Sequence, residues 1–269
     1  MKTRAVTGFF FVVVMLASLL TGAYTFSIFF LLLSLVCLNE FYNLVKSSNH
    51  VRPHKEWGFL LAVSIFLPYI FHHLWDTQSG ALLLAIPVVL LIYIYELFCR
   101  NPYPFNNLAY TFMGIIYAVL PFCFFYGLAF RDGDFNVHYP LGFLLLLWAN
   151  DTGAYLFGVK FGKTKLFERH SPKKSWEGFL GGMFTSLIVA FILSIYFKEL
   201  SVLNWASISL IVVVFGTIGD LTESMLKRSL NVKDSGNILP GHGGVLDRFD
   251  GLLFAAPMVF VYLYLINLY

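Results

Sequence analysis

Four acidic side chains at matched spacing lie near the C-terminal end of this 269-residue chain. Asp220 and Glu223 stand three residues apart, and so do Asp247 and Asp250. A helix through the first pair puts Asp220, Glu223, Ser224 and Lys227 on one face, at i, i+3, i+4 and i+7. If two adjacent helix ends present these pairs to each other, the carboxylates converge. Carboxylate oxygens, water and substrate phosphates make up the coordination sphere that Mg²⁺ prefers, so Asp220, Glu223, Asp247 and Asp250 are candidate metal ligands. Between the pairs, Pro240-Gly241-His242-Gly243-Gly244 supplies backbone able to approach a ligand closely. His242 has no second His or Cys at ligand spacing, which argues against a zinc site. A plainer reading stays open, in which Lys227, Arg228 and Arg248 pair with the four acids and staple a helical hairpin.

Two other polar stretches precede this one. Trp148 to Gly158 places Asn150 and Asp151 inside an apolar run. An ionisable residue there costs about 2.5–3.5 kcal/mol on insertion scales, so it faces protein or a wet cavity. Tyr155 follows one turn after Asp151 on the same face. The alternative is an Asn–Asp pair that bonds neighbouring helices. Gly162 to Gly178 is strongly basic and ends in Ser171, Pro172, Lys173, Lys174 and Ser175, just before an apolar run. Hydroxyl and ammonium groups beside a helix start suit phosphate oxygens. Positive charge attracted to anionic lipid head groups explains Lys and Arg in general, but explains that cluster less well. Gly158 to Thr164 imitates a phosphate-binding loop, yet has one residue too few between its glycines and follows an apolar run rather than a strand.

Composition decides what must hold these residues. Hydrophobic residues make up 58% and charged residues 12%, against about 25% charged in soluble domains. Lipid is therefore the solvent for much of the chain. Nine apolar runs can be counted, near 5–22, 25–45, 57–72, 80–98, 108–130, 139–159, 177–197, 202–221 and 250–268. The third is short and contains Pro68. Each run is apolar on all sides, not alternating, so helices that satisfy their own backbone are expected, not barrel strands. The fold class expected is an all-α membrane protein, a polytopic bundle of about nine transmembrane helices. Of eighteen Lys and Arg, all but Arg131 and Lys198 fall at the N-terminus or in every second loop, which sets those segments on the cytoplasmic side. Residues 1–138 would form about five spans, and residues 139–269 the spans that carry the polar stretches. Cys37, Cys99 and Cys123 are far apart and suggest neither a disulfide framework nor a metal site.

The third stretch resembles the signature of the phosphatidate cytidylyltransferase (CDP-diacylglycerol synthase) family at Ser224, Lys227, Arg228, Lys233, Asp234, Gly236, Pro240, His242, Gly243, Gly244, Asp247, Arg248 and Asp250. The Asn150-Asp151-Thr152 and Ser171-Pro172-Lys173-Lys174-Ser175 stretches are similar to that family's too. The resemblance covers about the last 120 residues. It implies transfer of CMP from CTP to phosphatidic acid, with release of pyrophosphate. It also implies a cation centre at Asp220 and Asp247, with Mg²⁺ and room for K⁺ as a second cation. Asp220, Asp247, Lys227 and Asp250 are then the expected catalytic group, with Glu223 among the metal ligands. Asn150, Asp151, Ser171, Lys173, Lys174, Ser175, Ser224, Arg228, Lys233, Asp234, His242, Gly243, Gly244 and Arg248 are the expected substrate contacts. Expected partners are CTP, phosphatidic acid and the bilayer of the inner (plasma) membrane, with no nucleic acid and with a homodimer allowed for. A CTP-dependent kinase of polyprenol or another lipid alcohol is the nearer rival. An ion-coupled secondary transporter is the more distant one, because the polar residues crowd one half instead of repeating in both.

Overall fold

The computed structural model describes residues 2–48, 50–238 and 243–266. Its helices are α1 (Lys2–Leu20), α2 (Ala23–Val45), α3 (Lys55–Trp75), α4 (Ala85–Phe98), α5 (Pro104–Ala118), α6 (Leu120–Leu128), α7 (His138–Phe161), α8 (Trp176–Tyr196), α9 (Val202–Ser229) and α10 (Leu246–Ile266). A short 3₁₀ segment, Ser79–Leu84, leads into α4. Among the described residues, seven segments are long and apolar enough to cross a membrane. They are α2, α3, Gly80–Phe98, Pro104–Leu128, α8, α9 and α10. The other two expected runs correspond to α1, apolar from Gly8 to Leu20, and to α7, whose 24 residues include Asn150, Asp151 and Lys160. The chain is a multi-pass, all-α membrane bundle.

Local chemistry explains the boundaries. Pro121 lacks an N–H and its ring crowds the carbonyl four residues back, and there the fifth span breaks into α5 and α6. Pro68 does not end α3, which runs through it to Trp75. Neighbouring helices can absorb such a defect within a membrane bundle. Ser175 and Ser201 cap α8 and α9, accepting hydrogen bonds from Gly178 N (3.1 Å) and Asn204 N (3.2 Å). The basic stretch is not a plain loop. Its ends pair as an antiparallel hairpin, β1 (Lys165–Phe167) with β2 (Ser171–Ser175). The hairpin is clamped to α8 by Trp176 N donating to Thr164 O (2.9 Å) and by the Glu177 carboxylate accepting from Lys163 N and Thr164 N.

Contacts define two ends of the bundle. At one end, the close of α2 meets the start of α10, the start of α3 meets the close of α4 through His54 and Glu96, and β2 meets the close of α9. At the other end, His138 at the start of α7 pairs with Glu199, and Asn204 accepts from Tyr262 Oη (3.0 Å). The Lys- and Arg-rich loops therefore share one end. An aromatic core between α2 and α6 ties the molecule together, with Phe26, Phe30, Phe122, Phe125 and Tyr126 all buried. Cys37 and Cys123 lie buried as small apolar groups.

Candidate active site

Close helix approach builds the site. An added Cβ at Gly219 would lie 2.2 Å from the Asp250 carbonyl oxygen, so only glycine lets α9 press against the start of α10. On the other side, Gly153 of α7 faces Gly181 and Thr185 of α8 just as tightly. Small residues at both crossings bring helix backbones together as they do in other membrane bundles. The unbroken run of α9 to Ser229 carries Asp220, Glu223, Ser224 and Lys227 along one face, as their spacing requires.

A cavity of about 610 Å³ opens where these four helices meet α1 and the hairpin. Its acidic wall is Asp151 from α7, Asp220 from α9, and Asp247 and Asp250 from the start of α10. Lys173 and Lys174 of β2 and Arg248 supply positive charge, and Asn150, Ser175 and Thr217 add polar groups. Phe11, Val12, Trp148 and Phe179 add apolar groups to the lining.

The charges are paired across elements. Lys174 Nζ lies 2.5 Å from Asp220 Oδ2, and Ser224 Oγ donates to Asp220 Oδ1 at 3.4 Å. Lys227 Nζ bridges the helices, 2.6 Å from Asp247 Oδ1 and 3.2 Å from Glu223 Oε1. Asp247 Oδ2 accepts from Ser235 N (2.9 Å) and Gly244 N (2.8 Å). Two ammonium groups thus sit on two of the carboxylates that line one cavity. The hairpin-staple reading accounts for Lys227. It does not account for Lys174, which reaches Asp220 from a separate element.

Of the expected site residues, Asn150, Asp151, Lys173, Lys174, Ser175, Asp220, Asp247, Arg248 and Asp250 line the cavity. Ser175 does so while capping α8. Ser224 and Lys227 stand behind the wall and hold its acids. Glu223 is placed differently from a ligand: its side chain is 0% exposed and faces Lys227. Arg228 donates to Val232 O (3.2 Å) at the end of α9, and Ser171, Lys233, Asp234, Gly243 and Gly244 are not part of the lining. Gly243 has φ of 84°, a conformation that glycine adopts without penalty. His242, with Pro240 and Gly241, lies outside the described residues.

The family model described as Cytidylyltransferase family matches residues 2–266, nearly the whole chain. The chain belongs to the cytidylyltransferase family. The chain is 37% identical over 263 residues to a phosphatidate cytidylyltransferase of Staphylococcus aureus (strain COL), covering 96% of this chain and 97% of the relative. It is 34% identical over 269 residues to the phosphatidate cytidylyltransferase of Bacillus subtilis (strain 168), covering 99% of each. The similarity extends through the N-terminal spans, beyond the motifs.

Metal binding depends on the donors that the cavity offers. Among the described residues, no three His, Cys, Asp or Glu side chains are grouped to hold a metal ion unaided. Mg²⁺ needs fewer, being usually held by one or two carboxylates and completed by substrate phosphates and water. The donors are all oxygen, and two of them already attract a cationic group. Sequence reasoning missed Glu40 of α2, which is 2% exposed and bonded to the start of α10. The available signal was the one used for Asp151, an ionisable group inside an apolar run.

Proposed function

We propose that this chain transfers CMP from CTP to phosphatidic acid, giving CDP-diacylglycerol and pyrophosphate. The observation that carries the reading is a single cavity whose lining combines lysines and carboxylates with apolar side chains, within a family whose curated relatives bear that name. CTP needs cationic contacts for its phosphates, and the lipid needs a path from the bilayer. Lys173, Lys174 and Arg248 supply the first, and the apolar lining residues Phe11, Val12, Trp148 and Phe179 suit the second. We place the cavity on the cytoplasmic side of the inner membrane, because the Lys- and Arg-rich loops after α2, α4, α7 and α9 share one end of the bundle with it.

In the reaction, an oxygen of the lipid phosphate attacks the α-phosphorus of CTP in line, and the bond to the β-phosphate oxygen breaks. A phosphate monoester is largely ionised near neutral pH, so the nucleophile needs little help from a base. The work left to the protein is positioning and charge. Mg²⁺ held by Asp220 and Asp247, with Asp250 beside them, would neutralise the triphosphate and the departing pyrophosphate. Lys174 holds Asp220 before substrate arrives and is placed to move onto phosphate oxygens. Asp151 and Asn150 line the same cavity from α7 and are available to the nucleotide.

Purified protein given labelled CTP and phosphatidic acid is expected to yield labelled CDP-diacylglycerol and pyrophosphate. Release of CDP with a phosphorylated lipid alcohol would instead mark a kinase and overturn the reading. Lys174→Ala is expected to lower kcat/KM for CTP by roughly ten- to a hundredfold, since one charge-assisted contact is worth about 1.5–3 kcal/mol. Wild-type kinetics in both Lys173→Ala and Lys174→Ala would reduce the hairpin to membrane-side charge.

A further inference from the structure

The carboxylate of Glu40 lies in α2, some two hundred residues from the site in sequence, yet it organises the start of α10. Glu40 Oε1 accepts from Val245 N at 2.9 Å, and Oε2 accepts from Leu246 N at 2.7 Å and from Ser235 Oγ at 3.3 Å. Those amides are among the first-turn donors that no helix can satisfy internally. Gly244 N, the preceding donor, goes to Asp247 Oδ2. Three consecutive N–H groups at the head of α10 are thus taken by two carboxylates, one supplied by the helix itself and one by α2. A negative charge at a helix N-terminus is also favoured by the helix dipole. Ser235 closes the loop: its hydroxyl binds Glu40 while its N–H binds Asp247.

The glycines around this carboxylate have a reason in its presence. An added Cβ at Gly236 would lie 2.8 Å from Glu40 Oε1, and one at Gly244 would lie 2.5 Å from Glu40 Oε2. The glycines that make this loop distinctive in the sequence leave room for an acid from another helix.

We propose that Glu40 is a positioning residue for the transfer reaction: by clamping Ser235, Val245 and Leu246, it fixes the head of α10 so that Asp247 is held facing the cavity and Lys227. The proposal rests on the reading of Asp247 as part of the metal-assisted site. Glu40 itself does not line the cavity. A glutamine there keeps the shape, but its amide loses one acceptor and turns a donor toward other donors. An aspartate keeps the charge and falls one methylene short.

Two measurements on the full-length protein separate the roles. Amide hydrogen exchange over residues 243–249 should be slow in the wild type and at least tenfold faster in Glu40→Gln, with Glu40→Asp between them, while exchange in α8 stays unchanged. Turnover at saturating CTP and lipid should fall tenfold or more in Glu40→Gln. The Mg²⁺ concentration for half-maximal rate should rise several-fold, with Glu40→Asp recovering part of both. Unchanged exchange over 243–249 in either variant overturns the clamp. A lower thermal midpoint with wild-type turnover and Mg²⁺ response in the folded fraction overturns the positioning role and leaves a structural one. Wild-type protein that makes no CDP-diacylglycerol overturns the proposed reaction instead, and the exchange comparison still decides the clamp.

Discussion

Asp220→Asn should fold as the wild type does and still lose at least about a hundredfold in turnover. The folding half of this expectation comes from exposure. The Asp220 side chain is 38% exposed and its Lys174 partner 26% exposed. An ion pair that open contributes about 0–1 kcal/mol to stability, and asparagine keeps the hydrogen bond from Ser224. The catalytic half comes from charge. Metal-derived stabilisation of a transition state is worth on the order of several kcal/mol, and each 1.36 kcal/mol or so is tenfold in rate. Asp247→Asn should lose as much turnover, although it also gives up the 2.6 Å contact with Lys227 and should melt somewhat earlier. The check is thermal midpoint and turnover measured together across an Mg²⁺ titration. Chelation should abolish wild-type activity and added Mg²⁺ should restore it. A well-folded Asp220→Asn protein that turns over CTP at near wild-type rate removes the metal centre from this cavity.

Lys227→Met should have the largest effect on stability. Lys227 is the cation between Glu223, fully buried, and Asp247, whose side chain is 7% exposed. Removing one partner of a buried pair leaves an uncompensated charge, at a cost of about 3–5 kcal/mol. The double variant Glu223→Leu with Lys227→Met removes one of the two stranded acids and should recover part of the lost stability. It should not recover activity, because Asp247 Oδ1 still lacks the ammonium that holds it toward the cavity. Thermal melting with turnover on the single and double variants tests both claims. A single variant as stable as wild type contradicts the buried-pair argument. A double variant with wild-type turnover makes Lys227 a purely structural staple.

The sequence alone determined the class of the molecule and the character of its site. Low charge and runs apolar on every side leave the helix as the way to satisfy backbone groups in lipid, and that is a local property of each run. Helical periodicity is local too. It put Asp220, Ser224 and Lys227 on one face of α9 before any neighbour was known. The three motif stretches were legible for the same reason, since each is short and contiguous. Tertiary structure decided which of their residues meet. Lys174 and Asp220 form a pair because β2 folds back from α8 onto α9. Arg248 lines the cavity, whereas Arg228 and Lys233, equally basic and in the same signature, do not. Glu223 repeats the spacing of a ligand but is fully buried, paired with Lys227 one turn further along the same helix. Glu40 reaches residues 195 to 206 positions away. Spacing along a helix fixes which side chains share a face, but the direction of that face depends on how closely two helices cross. Here the crossings are set by backbone contact at Gly219 and Gly153, and such contact exists only once helices distant in sequence have packed.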